Sequence, residues 1–142
     1  MQEFILDKLQ LLIERKLIKG IGENGTEYTV IAQILDLPKE ILRLIQKFDF
    51  TKKNPKLIYI NTGETMISLQ DSILVTFLNL AGFDILFFVP TCYQSVENYF
   101  AEKLMEEHQI GEYKYDMQVP DLNNISTNST RPSWRRKLFR RG

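Results

Sequence analysis

Two polar segments of the chain each follow a short apolar run, and their residues could bind a small ligand. Asn61-Thr62-Gly63-Glu64 follows the run 56–60, and Thr91 to Ser95 follows the run 84–89. Both runs are continuous, β-branched and aromatic, which is typical of strands buried on both faces of a parallel sheet. In open parallel α/β sheets, ligands bind beyond the carboxyl ends of the strands.

The chemistry of these two segments suits a phosphate or carboxylate group. Backbone amides at the N-termini of helices expected to begin at Ser68 and Ser95 can bind an anion. The sequence therefore predicts a site for a nucleotide or sugar-phosphate-like ligand. Its predicted ligand-binding residues are Asn61, Thr62, Gly63, Glu64, Ser68, Thr91 and Ser95. The alternative is a turn glycine and ordinary helix caps, since neither standard glycine-rich phosphate loop occurs.

Catalytic and metal chemistry have weaker support. The single cysteine, Cys92, lies between a strand end and a helix start, where a helix dipole favours the thiolate. Its base would have to be the single histidine, His108, a whole helix later, so a structural cysteine is the favoured interpretation. Acidic residues near His108 follow no recognised ligand spacing, and a solvated helix end explains them. The sequence therefore identifies no catalytic residue and predicts no metal or cofactor.

The C-terminal segment is basic and aromatic. Its predicted contacts with a membrane or another acidic surface are Trp134, Arg135, Arg136, Lys137, Arg140 and Arg141. A segment of this kind can bind anionic lipid or an acidic protein weakly and reversibly, although a solubilising disordered tail is the alternative. Specific nucleic-acid binding is not predicted.

Helical spacing of apolar residues predicts the elements that position these segments. Helices are expected over 3–19, 27–35 and 38–48, before the first strand. Ser68 with Asp71 resembles a capping box that begins a helix over 68–81, and this helix is so apolar that it should be sandwiched. Another helix is expected from Ser95 to Glu107. Residues 112–116 are a candidate for a short third strand.

These elements predict an α/β fold, with N-terminal helices packed on a small Rossmann-like βαβα unit that contains a parallel strand pair. The helical segment is placed at 1–50 and the βαβα unit at 55–120, in one folded body over 1–120. A polar tether and the basic tail follow at 121–142. Two strands are few for a parallel sheet, so either the N-terminal helices cover it or the chain is part of a longer protein.

Composition limits the class of protein. The 142 residues suit one domain, and the formal net charge is zero. The six bases of 131–142 leave twelve basic against eighteen acidic residues over 1–130, a net charge of −6. No basic leader or apolar stretch of ~18 residues is visible, so a soluble cytoplasmic chain is expected.

Several segments carry a family resemblance. The sequences EHQIGEYKYDMQVPD (107–121), FDILFFVPT (83–91), FDFTK (48–52) and IYINT (58–62) resemble the C-terminal end of the bacterial YceG-like family. The resemblance covers most of residues 10–121. It implies a component of a biosynthetic module associated with tellurium-resistance-type stress operons. Family members are considerably longer than this chain, so the resemblance also implies either a fragment of a longer protein or a truncated paralogue, and it supplies no catalytic residue.

Two function hypotheses follow. The first is a ligand-binding C-terminal portion of a bacterial stress-response or biosynthetic-module protein that is not catalytic alone. Its partners would be a small phosphorylated ligand and the remainder of a longer chain. The second is a non-catalytic adaptor whose body binds a protein and whose tail finds a membrane or another acidic surface.

Overall fold

A computed structural model describes residues 1–62, 67–92 and 97–118 of the chain. Four helices and two strands occur in these ranges, and together they form a mixed α/β arrangement. The elements are α1 (Gln2–Glu14), α2 (Thr26–Leu35), α3 (Lys39–Lys47), β1 (Lys56–Ile60), α4 (Leu69–Leu80) and β2 (Asp84–Phe88). The predicted α/β class is therefore confirmed.

The two strands form a parallel pair. Lys56 lies opposite Asp84 and Ile60 lies opposite Phe88, so the five residues of each strand are in register. Parallel neighbours need a crossover connection, and α4 supplies it. The predicted strand–helix–strand order with a parallel pair is confirmed.

Helix α4 lies at the centre of the fold. It contacts β2 on one side and both α1 and α2 on the other. Buried residues therefore occur around most of its circumference: Ser72, Ile73, Val75, Thr76, Phe77 and Leu78. The prediction of a sandwiched helix is confirmed. The chain has three layers, with the sheet, then α4, then α1 and α2.

A cluster of phenylalanines closes the end of this stack where α4 ends and β2 begins. The ring centroid of Phe50 lies 5.9 Å from that of Phe83 and 6.4 Å from that of Phe4. Gly82 follows α4 with a φ of +102°, in the region that side chains disfavour, and a Cβ there would lie 3.1 Å from Phe50 Cδ1. Glycine is required by both the backbone angle and the close ring, as expected for the residue that ends this helix.

The expectation that both faces of the strands are buried is wrong. Residues of β1 and β2 alternate between exposed and partly buried, so the described residues cover only one face of the sheet. The covered face packs Leu57, Tyr59, Ile85 and Phe87 against the core. The N-terminal helices do not reach the other face, because they stack on α4 and make no contact with the strands.

Differences also occur after β2 and after α1. The described part of the predicted helix 95–107 is a turn at 97–99 followed by an isolated antiparallel bridge between Phe100 and Ile18. Residues 112–116 form no strand.

Helix α1 ends at Glu14, five residues earlier than predicted, because the chain turns at Lys16 (φ +50°) and extends to form the bridge between Ile18 and Phe100. Lys19 N donates to Tyr99 O and Ala101 N donates to Leu17 O, so long-range backbone pairing replaces the helical bonds expected here.

Candidate functional site at the carboxyl ends of the strands

The structure brings the described parts of the two predicted polar segments, residues 61–62 and 91–92, to one edge of the sheet. Asn61 N donates to Phe88 O at 2.9 Å, which continues the strand pairing one residue beyond β1. Thr62 and Thr91 therefore leave neighbouring strands at the same edge. Gly63, Glu64 and Ser95, which the sequence also assigns to this site, lie outside the described residues.

Thr91 is the most unusual residue at this edge. Its side chain is buried, with 5% of the residue exposed, and its Oγ1 has no hydrogen-bond partner in the part of the chain that the structure describes. A buried hydroxyl without a partner costs about 1–3 kcal/mol. Thr76 is equally buried, but its Oγ1 donates to Ser72 O at 2.8 Å. Among the described residues, the hydroxyl of Thr76 is thus satisfied and that of Thr91 is not.

Ser68 begins α4 as predicted. Its Oγ accepts a hydrogen bond from Asp71 N at 3.0 Å and donates to Asp71 Oδ2 at 2.7 Å. The Asp71 carboxylate in the first turn also interacts favourably with the positive end of the helix. The Ser68 hydroxyl therefore already has a structural role as the helix cap.

A tyrosine of the covered sheet face lies close to this helix start. Tyr59 stacks on Phe87 with a centroid distance of 5.0 Å. Burial raises the pKa of the Tyr59 phenol, and the negative charge of Asp71 raises it further. Tyr59 is therefore a neutral hydrogen-bonding phenol at physiological pH, beside the predicted ligand edge.

A distant segment returns to the same edge. Lys114 N donates to Pro90 O at 2.9 Å, which places a lysine directly beside the Thr91 segment. The pKa of the adjacent Tyr113 is raised, mainly by its hydrogen bond with the Cys92 sulfur and by the charge of that sulfur. Sequence patterns missed this association. The only available signal was the alternation of tyrosines with charged residues over 112–116.

Metal-ligating groups are dispersed in the described structure. Over residues 1–62, 67–92 and 97–118, no three His, Cys, Asp or Glu side chains come close enough together to hold a metal ion. His108 Nε2 lies 3.7 Å from Glu106 Oε2, but both side chains are largely exposed. Cys92 is exposed and has a left-handed φ of +58°.

An open apolar cleft of about 310 Å³ lies away from this edge. Met1, Phe4, Ile45, Gln46 and Phe50 line it. Because Phe50 packs on Phe83, just before β2, the cleft is near the amino ends of the strands. It contains none of the predicted ligand-binding residues.

The second function hypothesis depends on the C-terminal segment. Its residues from Trp134 to Arg141 lie outside the described residues, so the predicted contact with an acidic surface stays a prediction. None of the helices that the structure describes combines the length and the apolar character needed to cross a bilayer.

The fold and the site define an α/β domain with polar loops at the carboxyl edge of a parallel strand pair. The chain belongs to the YceG domain family, whose model matches residues 1–130. It is also 30% identical over 93 residues to "Uncharacterized protein YceG" of Bacillus subtilis (strain 168). That match covers 63% of this chain but 17% of the relative, so the chain spans less than a fifth of the curated relative's length. No solved structure matches this chain.

Proposed function

We propose that this chain is the ligand-binding portion of a YceG-family protein and that it binds a small phosphorylated molecule of the nucleotide or sugar-phosphate class. The binding edge is formed by the carboxyl ends of β1 and β2. The observation that carries the proposal is the buried hydroxyl of Thr91, which lacks a partner among the residues that the structure describes.

The energetics of Thr91 favour a ligand over a structural role. An unsatisfied buried hydroxyl lowers the stability of the fold. Functional sites commonly retain such local costs, because the groups involved are satisfied when a ligand binds. A phosphate or sugar oxygen that accepts from Thr91 Oγ1 would remove this cost in the bound state.

The neighbouring groups suit a phosphorylated ligand. Thr62 adds a hydroxyl, and the backbone bond between Lys114 N and Pro90 O anchors a residue whose side chain carries positive charge at this edge. Charge-assisted hydrogen bonds to phosphate are about twice as strong as neutral ones. The Asp71 carboxylate offsets part of the positive helix end, so Lys114 and the hydroxyls contribute more than the α4 amides.

The proposal also covers the complete sheet and the cellular setting of the chain. The β1–α4–β2 unit is part of a Rossmann-like sheet that the remaining chain of a longer family member completes. The chain works in the cytoplasm, within a biosynthetic module of tellurium-resistance-type stress operons. Catalysis is assigned to other parts of such a module.

A thermal melt of the full 142-residue chain tests the proposal. The panel is inorganic phosphate, ATP, ADP, UDP-glucose and glucose 6-phosphate. A compound present at about 100 times its Kd adds about 2.7 kcal/mol to the free energy of unfolding. For a domain of this size, this raises the midpoint by roughly 10 °C. We expect at least one compound to do so.

Three variants locate the binding. Thr91→Val and Lys114→Ala should abolish or weaken the ligand-induced shift. Lys53→Ala should leave it unchanged, because Lys53 is an exposed lysine near the amino ends of the strands. If no compound raises the midpoint, or if Thr91→Val keeps the full shift, the proposed site is wrong.

A further inference from the structure

The uncovered face of the sheet is a continuous apolar surface. This outer face consists of the exposed residues of the two strands: Lys56, Ile58, Ile60, Asp84, Leu86 and Phe88. Ile58 is paired with Leu86, and Ile60 with Phe88, so the four apolar side chains are neighbours. Their exposed fractions are 57%, 51%, 44% and 48% in that order.

This exposure is unusual for a parallel sheet. Parallel sheets occur almost only with both faces covered, because their crossover helices lie on the faces. Here α4 covers one face, while α1 and α2 contact α4, and neither these two helices nor α3 contacts the strands. No described element is therefore available for the outer face.

The charge of the outer face selects an apolar occupant. Its only charged residues are Lys56 and Asp84, and their side chains pair with each other at 2.7 Å. The pair neutralises the face, so neither an anionic membrane nor a nucleic acid finds unpaired positive charge there. The occupant must contribute apolar side chains.

The size of the outer face selects a tethered occupant. Four half-exposed side chains of this kind present roughly 400 Å². A stable interface between separate proteins buries about 800 Å² on each partner. A segment of the same polypeptide needs less area, because a tether gives it an effective concentration in the millimolar range.

We infer that, in YceG-family proteins of the relative's length, a helix from outside the matched stretch packs an apolar stripe on the outer face. The match covers 63% of this chain, so it necessarily includes the central part that contains β1, α4 and β2. More than four-fifths of the relative lies outside the match, which leaves ample chain to supply the helix. The packed helix completes the two-sided cover that a parallel sheet requires.

Cysteine accessibility tests this assignment. Ile58→Cys and Leu86→Cys are made separately in a Cys92→Ser background, and maleimide labelling rates are measured in the full 142-residue chain. Gln70→Cys, on exposed α4 surface away from the outer face, is the matched control. The same three cysteines are then placed in a chimaera. In it, this chain's aligned stretch replaces the matched stretch of the Bacillus subtilis protein.

We expect all three cysteines to react quickly in the 142-residue chain. In the chimaera, residues 58 and 86 should react about tenfold more slowly or slower still, since a packed site is open for a tenth of the time or less. Residue 70 should keep its rate. Equal rates at all three positions in the chimaera, or equal slowing at all three, would overturn the inference.

Other occupants give different results. If residue 58 is labelled slowly in the 142-residue chain and dilution raises the labelling rate, a second copy of the chain covers the outer face. If deleting residues 131–142 raises the labelling rate instead, the chain's own tail covers the face. Either result would overturn the inference. If the chimaera does not melt cooperatively, the full-length Bacillus subtilis protein itself carries the three cysteines, at its positions aligned with 58, 70 and 86. Slowing at 58 and 86 alone then supports the inference, and unchanged rates refute it.

Discussion

Replacing Thr91 with valine should stabilise the unliganded chain. Valine has nearly the same shape as threonine, so the packing around residue 91 is preserved and only the hydroxyl is lost. Because Thr91 Oγ1 is buried and has no partner in the described residues, the substitution removes a desolvation cost of about 1–3 kcal/mol. The free energy of unfolding should rise by that amount.

Urea unfolding followed by far-ultraviolet circular dichroism measures this change through the loss of the helices. With a slope of about 2 kcal/mol per molar urea, the midpoint should increase by roughly 0.5–1.5 M. The slope itself should stay the same, because the substitution does not change the surface exposed on unfolding. The same variant should lose the ligand-induced rise in melting temperature, so the chain gains stability as it loses binding.

Thr76→Val is the matched control. Thr76 is as buried as Thr91, but its hydroxyl donates to Ser72 O. Losing that bond should lower stability by about 0.5–1.5 kcal/mol. The two valine variants should therefore shift the urea midpoint in opposite directions. If Thr91→Val lowers the midpoint as Thr76→Val does, the Thr91 hydroxyl has a structural partner and the argument for a ligand fails.

Three further predictions follow from other residues. Ser68→Ala should remove the cap on Asp71 N and lower stability by about 1 kcal/mol, and an unchanged urea midpoint would contradict the capping role. The hydrogen bonds of Lys56 and then Asn54 lower the pKa of Asp84 below its ordinary 3.8. Its contribution to stability is therefore full above the ordinary value and is lost as the pH falls through the lower pKa of the folded state. Between pH 5 and pH 3, wild-type melting temperatures should fall more steeply than those of Asp84→Asn. Parallel pH curves for the two proteins would show that the Lys56–Asp84 pair does not stabilise the fold. Deleting 131–142 should abolish co-sedimentation with phosphatidylglycerol vesicles, because each lost base contributes about 1 kcal/mol near a charged surface; equal sedimentation would refute the role of the tail.

Local patterns were sufficient to predict most of the regular elements. Serine followed three residues later by aspartate marked the start of α4, because this cap depends only on neighbours in sequence. The apolar residues around most of α4 predict that other elements pack on more than one side of this helix. Strand order and parallel pairing followed from the short β-branched runs and the helix between them.

The candidate site was only partly predictable. The meeting of Thr62 and Thr91 follows from parallel topology, which places carboxyl ends at one edge. The lack of a partner for the Thr91 hydroxyl and the approach of Lys114 to Pro90 depend on contacts between distant segments. No periodicity or motif encodes such contacts, so sequence patterns could not place Lys114 beside Thr91.

The sequence by itself determined the local structure: which residues form helices, where α4 is capped, and that two strands flank it. Only the tertiary structure decided how these elements are layered. Residues 15–18 leave the helix because Ile18 pairs with Phe100, about eighty residues away in sequence. No described element covers the outer face of the sheet, because α1 and α2 pack on α4 instead. Local propensities are too small to settle such choices, and the burial of apolar surface between distant segments decides them.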